Sequence, residues 1–191
     1  RLCAALVLLM FLLGLYPYLF EDGIVFSVGR YLFERAAVYL PALLLPLLVL
    51  LAHFCTYPIE EANKRRYFND AKHRLEERHD LIKIGITGSF GKTSTKFILG
   101  TLLSQGFNTL ITPQSYNTPM GVTRVAREML KPEHEVFVAE MGARYVGDIE
   151  ELCDLVHPSI GLLTSVGKQH LETFGSLENI MNTKFELIAS L

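Results

Sequence analysis

The segment that most constrains the fold is residues 84–94, with the sequence IGITGSFGKTS. An apolar run typical of a buried strand breaks into a glycine-rich turn, and then Lys-Thr-Ser opens a helical pattern. In such a strand–turn–helix unit, backbone N–H groups cradle phosphate oxygens, the lysine reaches the β- and γ-phosphates, and a hydroxyl binds Mg²⁺. The segment therefore predicts a site for ATP and Mg²⁺. The predicted contact residues are Thr87, Gly88, Ser89, Gly91, Lys92, Thr93 and Ser94.

This loop departs from the general phosphate-loop pattern GxxxxGK[ST] in one position. The pattern places a glycine five residues before Gly91, where this chain has Ile86, and the upstream glycine is Gly88 instead. A chance turn rich in glycine and lysine is therefore the alternative. The change from a strand pattern to a helix pattern favours the phosphate loop.

Charge and cysteine content exclude several classes of protein. The net charge of the 191 residues is −2, which gives no indication of a general nucleic-acid binder. Cys3, Cys55 and Cys153 are isolated, so they indicate small buried side chains and not a disulfide framework or a metal site. Because the chain begins with Arg1 and its last residues follow a helical pattern, we expect a fragment of a longer protein.

Residues 1–58 are almost entirely apolar and predict a membrane hairpin. Leu2–Phe20 has no charged residue, and Ala36–Tyr57 has none apart from the titratable His53. Each segment has about the 20 residues that cross a bilayer core. A signal-peptide core is an alternative for the first segment, and buried core helices are an alternative for both. We expect two transmembrane helices.

The residues after the second apolar segment predict its orientation. Basic side chains are concentrated there, which marks the cytoplasmic side of a membrane: Lys64, Arg65, Arg66, Lys72, Arg74 and Arg78. We therefore expect a multi-pass protein of the cell membrane with its catalytic domain in the cytoplasm. Residues 59–80 predict a charged helical linker whose basic side chains are either solvated or lie on anionic headgroups.

From Leu81 onward, short apolar runs alternate with helical patterns. This alternation predicts an α/β fold, in which a parallel sheet carries helices on both faces and binds ligands beyond the carboxyl ends of its strands. The predicted strands are Ile82–Thr87, Asn108–Thr112, Val136–Met141 and Ile160–Ser165. The predicted helices are Lys92–Gln105, Met120–Leu130, Gly147–Val156 and Leu177–Leu191.

Four polar residues lie near the predicted strand ends or on the helices that follow. Glu140 ends the apolar run VFVAE, where a carboxylate needs a metal or a polar partner, and the nearby phosphate loop favours Mg²⁺ over a capping or salt-bridged role. His170 and Lys184 are weaker candidates taken alone, since loop histidines and helix lysines are usually solvated. Asn117 lies in the turn-rich segment QSYNTPMG, which turn formation alone would explain.

Together these segments resemble the Mur ligase superfamily from about Ile82 to the end of the chain. The resemblance rests on TGSFGKTS, YNTPMGV, VAEMGARYVGDI, HLETFGSLENI and NTKFELI, which occur in this order. It implies an ATP- and Mg²⁺-dependent amide ligase of peptidoglycan synthesis that works through an acyl phosphate. The implied partners are a UDP-muramoyl-peptide or similar carboxylate substrate and an amino acid or dipeptide.

The resemblance also implies roles for individual residues. Thr93 and Glu140 would hold one Mg²⁺, and His170 with a carbamylated Lys184 would hold a second. Asn117 and Thr118 would contact the carboxylate substrate. The catalytic set that this resemblance implies is Lys92, Glu140, His170 and Lys184.

Two departures from the superfamily stay open. Ser165 stands where the family often has Asn, and a membrane hairpin replaces the usual N-terminal domain that recognises UDP. A membrane ligase similar to poly-γ-glutamate synthase is therefore one alternative. A membrane P-loop ATPase and a membrane-tethered binding module without catalysis are two others.

Overall fold

The computed structural model describes residues 24–114 and 116–191. The chain divides into two compact units, Arg1–Glu61 and Ala62–Leu191. The predicted first transmembrane segment, Leu2–Phe20, lies outside the described residues.

The first described element is one long helix, α1, over Ile24–Glu76. The second predicted membrane segment, Ala36–Tyr57, lies inside it, and Pro41 and Pro46 are helical. Among the described residues, one helical stretch, Arg35–Glu76, is long and apolar enough to cross a membrane by length and composition. The predicted pair of transmembrane helices is therefore not confirmed.

The last turns of α1 belong to the second unit. Ala71 and Leu75 are fully buried in its core, and the Lys72 ammonium lies 2.6 Å from the Asp154 carboxylate. The sequence predicted a linker as far as residue 80. In the structure, the residues from Ala62 belong to the second unit, and Ala71 and Leu75 of the helix pack into its core.

The second unit contains a parallel sheet of four strands. These are β1 (Ile82–Thr87), β2 (Thr109–Ile111), β3 (Val136–Glu140) and β4 (Ile160–Leu163), in the order β2-β3-β1-β4. The connecting helices are α2 (Lys92–Leu103), α3 (Pro119–Glu128), α4 (Asp148–Val156), α5 (Leu171–Phe174) and α6 (Leu177–Ala189). The predicted α/β class is confirmed.

The two faces of the sheet are buried by different helices. On one face, Phe137 and Ala139 of β3 share a cluster with residues of α1, α3, α4 and α6. On the other face, Val136 and Val138 pack with Leu99 of α2. Alternate side chains of β3 thus pack into the clusters on opposite faces of the sheet, as expected for a sheet with helices on both faces.

The structure corrects the predicted end of β4. The prediction extended this strand to Ser165, but it ends at Leu163. Thr164 and Ser165 hydrogen-bond to the loop between β1 and α2 instead, through the carbonyls and N–H groups of Thr87, Ser89 and Phe90. The polar end of β4 therefore supports the phosphate loop.

Candidate nucleotide and metal site

The phosphate loop between β1 and α2 depends on glycine at two positions. Gly88 has φ 146° and Gly91 has φ 84°, both in the region that side chains disfavour. A Cβ atom at Gly88 would lie 2.0 Å from Thr164 Oγ1. The glycine that breaks the general pattern is therefore required here for close packing against the end of β4.

The segment after β4 holds the loop in place. Ser89 N donates to Ser165 O at 2.8 Å, and Phe90 N donates to Ser165 Oγ at 3.0 Å. The buried Ser89 hydroxyl donates to Gly167 O and accepts from Gly167 N. Ser165, where the family often has Asn, thus has a direct bracing contact.

The first turn of α2 presents its N–H groups at the end of β1. Gly91 is the N-cap and Thr93 and Ser94 are exposed, so the helix N-terminus offers an anion site. Lys92 Nζ donates to Gly88 O at 2.6 Å, so the lysine side chain folds back onto the loop. Burial lowers the pKa of Lys92, and the negative charge of Glu140 opposes that shift.

Thr87 has a different environment from the rest of the predicted set. Its hydroxyl is fully buried and donates to Met141 O at 3.0 Å, while its carbonyl accepts from Thr164 N. These contacts tie β1 to β3 and β4. The Thr87 hydroxyl is therefore buried between strands beneath the phosphate loop and is not exposed at the loop surface.

Glu140 is the centre of the site. It ends β3, is 1% exposed, and its Oε1 accepts from Thr93 Oγ1 at 3.2 Å and from Asn117 Nδ2 at 3.1 Å. Its Oε2 lies 2.9 Å from Lys96 Nζ. The predicted metal role of Glu140 therefore applies to Oε1, beside Thr93, and the salt-bridge alternative applies to Oε2, beside Lys96.

Lys96 is a further residue of the site that is not among those predicted from the sequence. This lysine is fully buried on α2, and besides Glu140 it contacts Gln114 O at 2.6 Å. A signal was present, because residues three apart on a helix share a face and Lys96 follows Thr93 by three. A buried lysine on the face that carries Thr93 indicates a carboxylate partner.

The predicted substrate residues lie against the end of β3. Asn117 O accepts from Gly142 N at 2.7 Å, and a Cβ at Gly142 would lie 2.9 Å from Asn117 Cγ. Thr118 is the N-cap of α3, and its hydroxyl accepts from Gly121 N. Asn117 is thus brought to Glu140, whereas the Thr118 hydroxyl has a capping role. Their contact with substrate stays a prediction.

Lys184 lies on α6 and His170 at the start of α5, the last two helices that the structure describes. Lys184 is 2% exposed on α6, and burial together with the nearby charge of Lys92 lowers its pKa to about 8. His170 has φ 55° and is the N-cap of the short helix α5. No hydrogen bond or ion pair joins His170 to Glu140 or Lys184 in the part of the chain that is described. The second metal site stays a prediction.

The oxygens around Glu140 fit one Mg²⁺ ion. The Thr93 hydroxyl and Glu140 Oε1 lie 3.2 Å apart, and both are hard oxygen ligands of the kind that Mg²⁺ prefers. Within residues 24–114 and 116–191, no group of three or more His, Cys, Asp or Glu side chains forms a metal cluster. The fit therefore depends on the hydroxyl and on phosphate oxygens.

This fold and site define a P-loop nucleotide-binding α/β domain. The sequence model of the Mur ligase middle domain matches residues 86–191. The chain belongs to the Mur ligase family.

Among curated relatives, UDP-N-acetylmuramoyl-tripeptide–D-alanyl-D-alanine ligase of a Synechocystis species is 41% identical over 113 residues. That match covers 59% of this chain and 25% of the relative. The Escherichia coli K12 ligase of the same name is 37% identical over 108 residues, covering 56% and 24%. The chain thus spans about a quarter of the length of the curated relatives it matches.

Solved structures give the same family. MurF from Acinetobacter baumannii aligns with TM-score 0.64 and 34% identity, covering 67% of this chain and 28% of that one. MurF ligase from Thermotoga maritima, solved in complex with ADP, aligns with TM-score 0.63 and 37% identity, covering 66% and 29%. The identity is high enough to support family membership as well as fold.

Proposed function

We propose that this protein is an ATP-dependent ligase that joins D-alanyl-D-alanine to a UDP-N-acetylmuramoyl-tripeptide in peptidoglycan synthesis. The observation that carries the proposal is the meeting of Thr93 with Glu140 beside the phosphate loop and Lys92. The names of the curated relatives support the choice of substrates. ATP and Mg²⁺ are the proposed cosubstrate and metal.

The phosphate loop would bind the triphosphate of ATP. The N–H groups of the first turn of α2 would donate to phosphate oxygens. Lys92, which lies on the Gly88 carbonyl, is one side-chain rotation from pairing with the β- and γ-phosphates. Thr93 and Glu140 would hold Mg²⁺, which when bound neutralises phosphate charge and so favours phosphoryl transfer.

The reaction proceeds in two substitutions. A carboxylate oxygen of the muramoyl-peptide attacks the γ-phosphorus, and the bond to ADP breaks to leave an acyl phosphate. The amine of the dipeptide then attacks the acyl carbon, loses a proton, and phosphate leaves from a tetrahedral intermediate. Lys92 and the helix N-terminus would align and neutralise charge in the first step, and Asn117, which contacts Glu140, would hold the carboxylate substrate.

Lys184 would act through a carbamate. A carbamate forms when a neutral amine attacks CO₂ and a proton is released, so a lysine with a pKa of about 8 has the amine available near neutral pH. The resulting carboxylate would organise a second Mg²⁺ together with His170. Burial of Lys184 beside Lys92 supports this role.

We also propose that α1 anchors the enzyme at the cytoplasmic face of the cell membrane. Its apolar stretch carries exposed side chains such as Leu43 and Phe54, each 76% exposed. No part of its most apolar window is buried by other residues that the structure describes. Basic side chains follow this stretch, as the cytoplasmic end of a membrane helix requires.

The test is a product assay with the full-length protein in membranes. ATP, UDP-muramoyl-tripeptide and D-alanyl-D-alanine should together give ADP, phosphate and the pentapeptide product. Omitting the muramoyl-tripeptide should abolish ADP release, and omitting the dipeptide should abolish the pentapeptide product. ADP release without the muramoyl substrate would support a membrane ATPase. Release with glutamate chains in place of the muramoyl-peptide would support a ligase similar to poly-γ-glutamate synthase.

A further inference from the structure

Lys96 is the most buried charged side chain that the proposed chemistry leaves unused. It is fully buried within α2, where an unpaired ammonium is unfavourable. Two partners compensate it, namely Glu140 Oε2 at 2.9 Å and Gln114 O at 2.6 Å. The ammonium therefore joins three separate parts of the fold: α2, the end of β3 and the connection from β2 to α3.

The two oxygens of Glu140 have different neighbours. Oε1 meets the Thr93 hydroxyl and the Asn117 amide, on the side of the phosphate loop. Oε2 meets Lys96 on the inner side of the site. Because an ion pair holds one oxygen, the carboxylate cannot rotate freely, and the other oxygen stays directed to Thr93.

The second contact of Lys96 fixes the chain near the predicted substrate residues. Gln114 has φ 43°, a backbone conformation that is uncommon for a non-glycine residue. Its carbonyl is held by Lys96, and three residues later Asn117 contacts the same Glu140 carboxylate. Lys96 thus constrains the connection from both the metal side and the substrate side.

We propose that Lys96 is a positioning residue that couples the metal carboxylate to the connection between β2 and α3. It holds Glu140 so that Oε1 faces the metal position, and it holds Gln114 so that Asn117 stays against Glu140. Metal binding at Glu140 is therefore linked to how well ordered the segment between β2 and α3 is. The substrate side of this coupling rests on the proposed function, whereas the metal side rests on the phosphate-loop geometry.

A simpler role for Lys96 predicts the opposite effect on metal binding. If Lys96 only neutralised Glu140, its ammonium would compete with Mg²⁺ for the carboxylate. Removing the charge would then strengthen Mg²⁺ binding. If Lys96 positions the carboxylate, removing it weakens Mg²⁺ binding, as loss of outer-shell partners does in other metal sites.

The experiment compares Lys96→Met with Lys83→Met in the full-length protein. Lys83 is also a half-buried lysine that donates to a carbonyl, Leu75 O, but it lies at the opposite end of β1. Calorimetric titration of ATP at a series of Mg²⁺ concentrations measures the metal requirement. We expect Lys96→Met to raise the required Mg²⁺ by about tenfold or more, and Lys83→Met to leave it unchanged. An unchanged or lowered requirement in Lys96→Met overturns the proposal.

Turnover separates positioning from a folding defect. In Lys96→Met, the Mg²⁺ concentration for half-maximal ADP release should rise, while kcat at saturating Mg²⁺ is largely retained. A fall in kcat that Mg²⁺ does not recover contradicts positioning. If no amide product forms in the wild type while the Mg²⁺ shift in binding is present, the proposed substrates are wrong and the positioning role stands.

A measurement on the wild type covers the case in which Lys96→Met does not fold. Hydrogen exchange is followed for peptides spanning residues 110–118 and 139–143, since Gly142 N donates to Asn117 O. ATP with Mg²⁺ should slow exchange in both peptides relative to ATP with a chelator. Equal exchange in the two conditions overturns the coupling.

Discussion

Two buried charged residues near the carboxyl ends of the strands differ in how the fold accommodates them. Glu140 is 1% exposed and is surrounded by Thr93, Asn117 and Lys96. Lys184 is 2% exposed and has no ion pair among the described residues. Polar and charged partners compensate the first, whereas the pKa of the second is lowered to about 8.

The carboxylates near Lys184 are engaged elsewhere. Asp148 accepts from the N–H groups of Arg144 and Tyr145, and Glu186 accepts from those of Gly147 and Glu150. Both raise the pKa of Lys184, but burial and Lys92 outweigh them. A compensated carboxylate suits a cation site, and an uncompensated amine suits reaction with CO₂. The two proposed roles therefore differ in charge compensation.

The prediction with the largest effect tests whether Glu140 and the neighbouring Lys92 take part in ATP turnover. Lys92→Ala and Glu140→Ala should each lower ATP turnover by about 10³-fold or more, because each removes charge stabilisation of phosphoryl transfer. Lys168→Ala removes an exposed lysine from the same edge of the sheet and serves as the control. Near-normal ADP release in a folded Lys92 or Glu140 variant contradicts the assignment.

The second prediction concerns stability on the compensated side. Glu140→Leu leaves the Lys96 ammonium buried without a carboxylate, so the free energy of unfolding should fall by about 3–5 kcal/mol. Denaturant titration followed by circular dichroism measures this. The double variant Lys96→Met/Glu140→Leu should be more stable than Glu140→Leu alone. Simple addition of two losses would mean that the two residues do not form a pair.

These two residues also mark the limit of prediction from sequence. Glu140 and the phosphate loop were predictable because a strand, a glycine turn and a helix are local features. The sequence places Lys96 on the helix face of Thr93, but it does not identify the partner of Lys96, because that partner is 44 positions away and is brought to α2 only by the sheet order β2-β3-β1-β4. The burial of Ala71 and Leu75 was not predicted for a similar reason, since it depends on tertiary packing.

The third prediction is that removing the buried amine of Lys184 raises the free energy of unfolding, whereas removing the Glu140 carboxylate lowers it. The pKa of Lys184 falls from 10.5 to about 8 on folding, so the unfolded chain binds a proton between these pH values that the folded chain does not. Stability is therefore lost as pH falls through this window and stays lost at pH 7. In buffers free of CO₂, Lys184→Met should raise the free energy of unfolding at pH 7 by up to about 3 kcal/mol.

The pH dependence checks this explanation. Above pH 10.5 the lysine is neutral in both states, so the gain from Lys184→Met should shrink towards zero. Unfolding is measured by denaturant titration at pH 7 and near pH 11. A gain of equal size at both values would show that packing, and not the buried charge, accounts for it.

The smallest expected effect tests the carbamate directly. Lys184→Ala removes the amine, and activity lost for want of a carboxylate should recover about tenfold when a small carboxylate such as acetate enters the space, because acetate supplies the missing negative charge. Methylammonium supplies the charge of an unmodified lysine and is the matched addition. Lys83→Ala, whose lysine lies at the other end of β1, should respond to neither ion. Recovery with methylammonium alone would mean that Lys184 acts as a cation. Glu140 and Lys184 would then differ in the sign of the charge that they supply, and the carbamate role would be wrong.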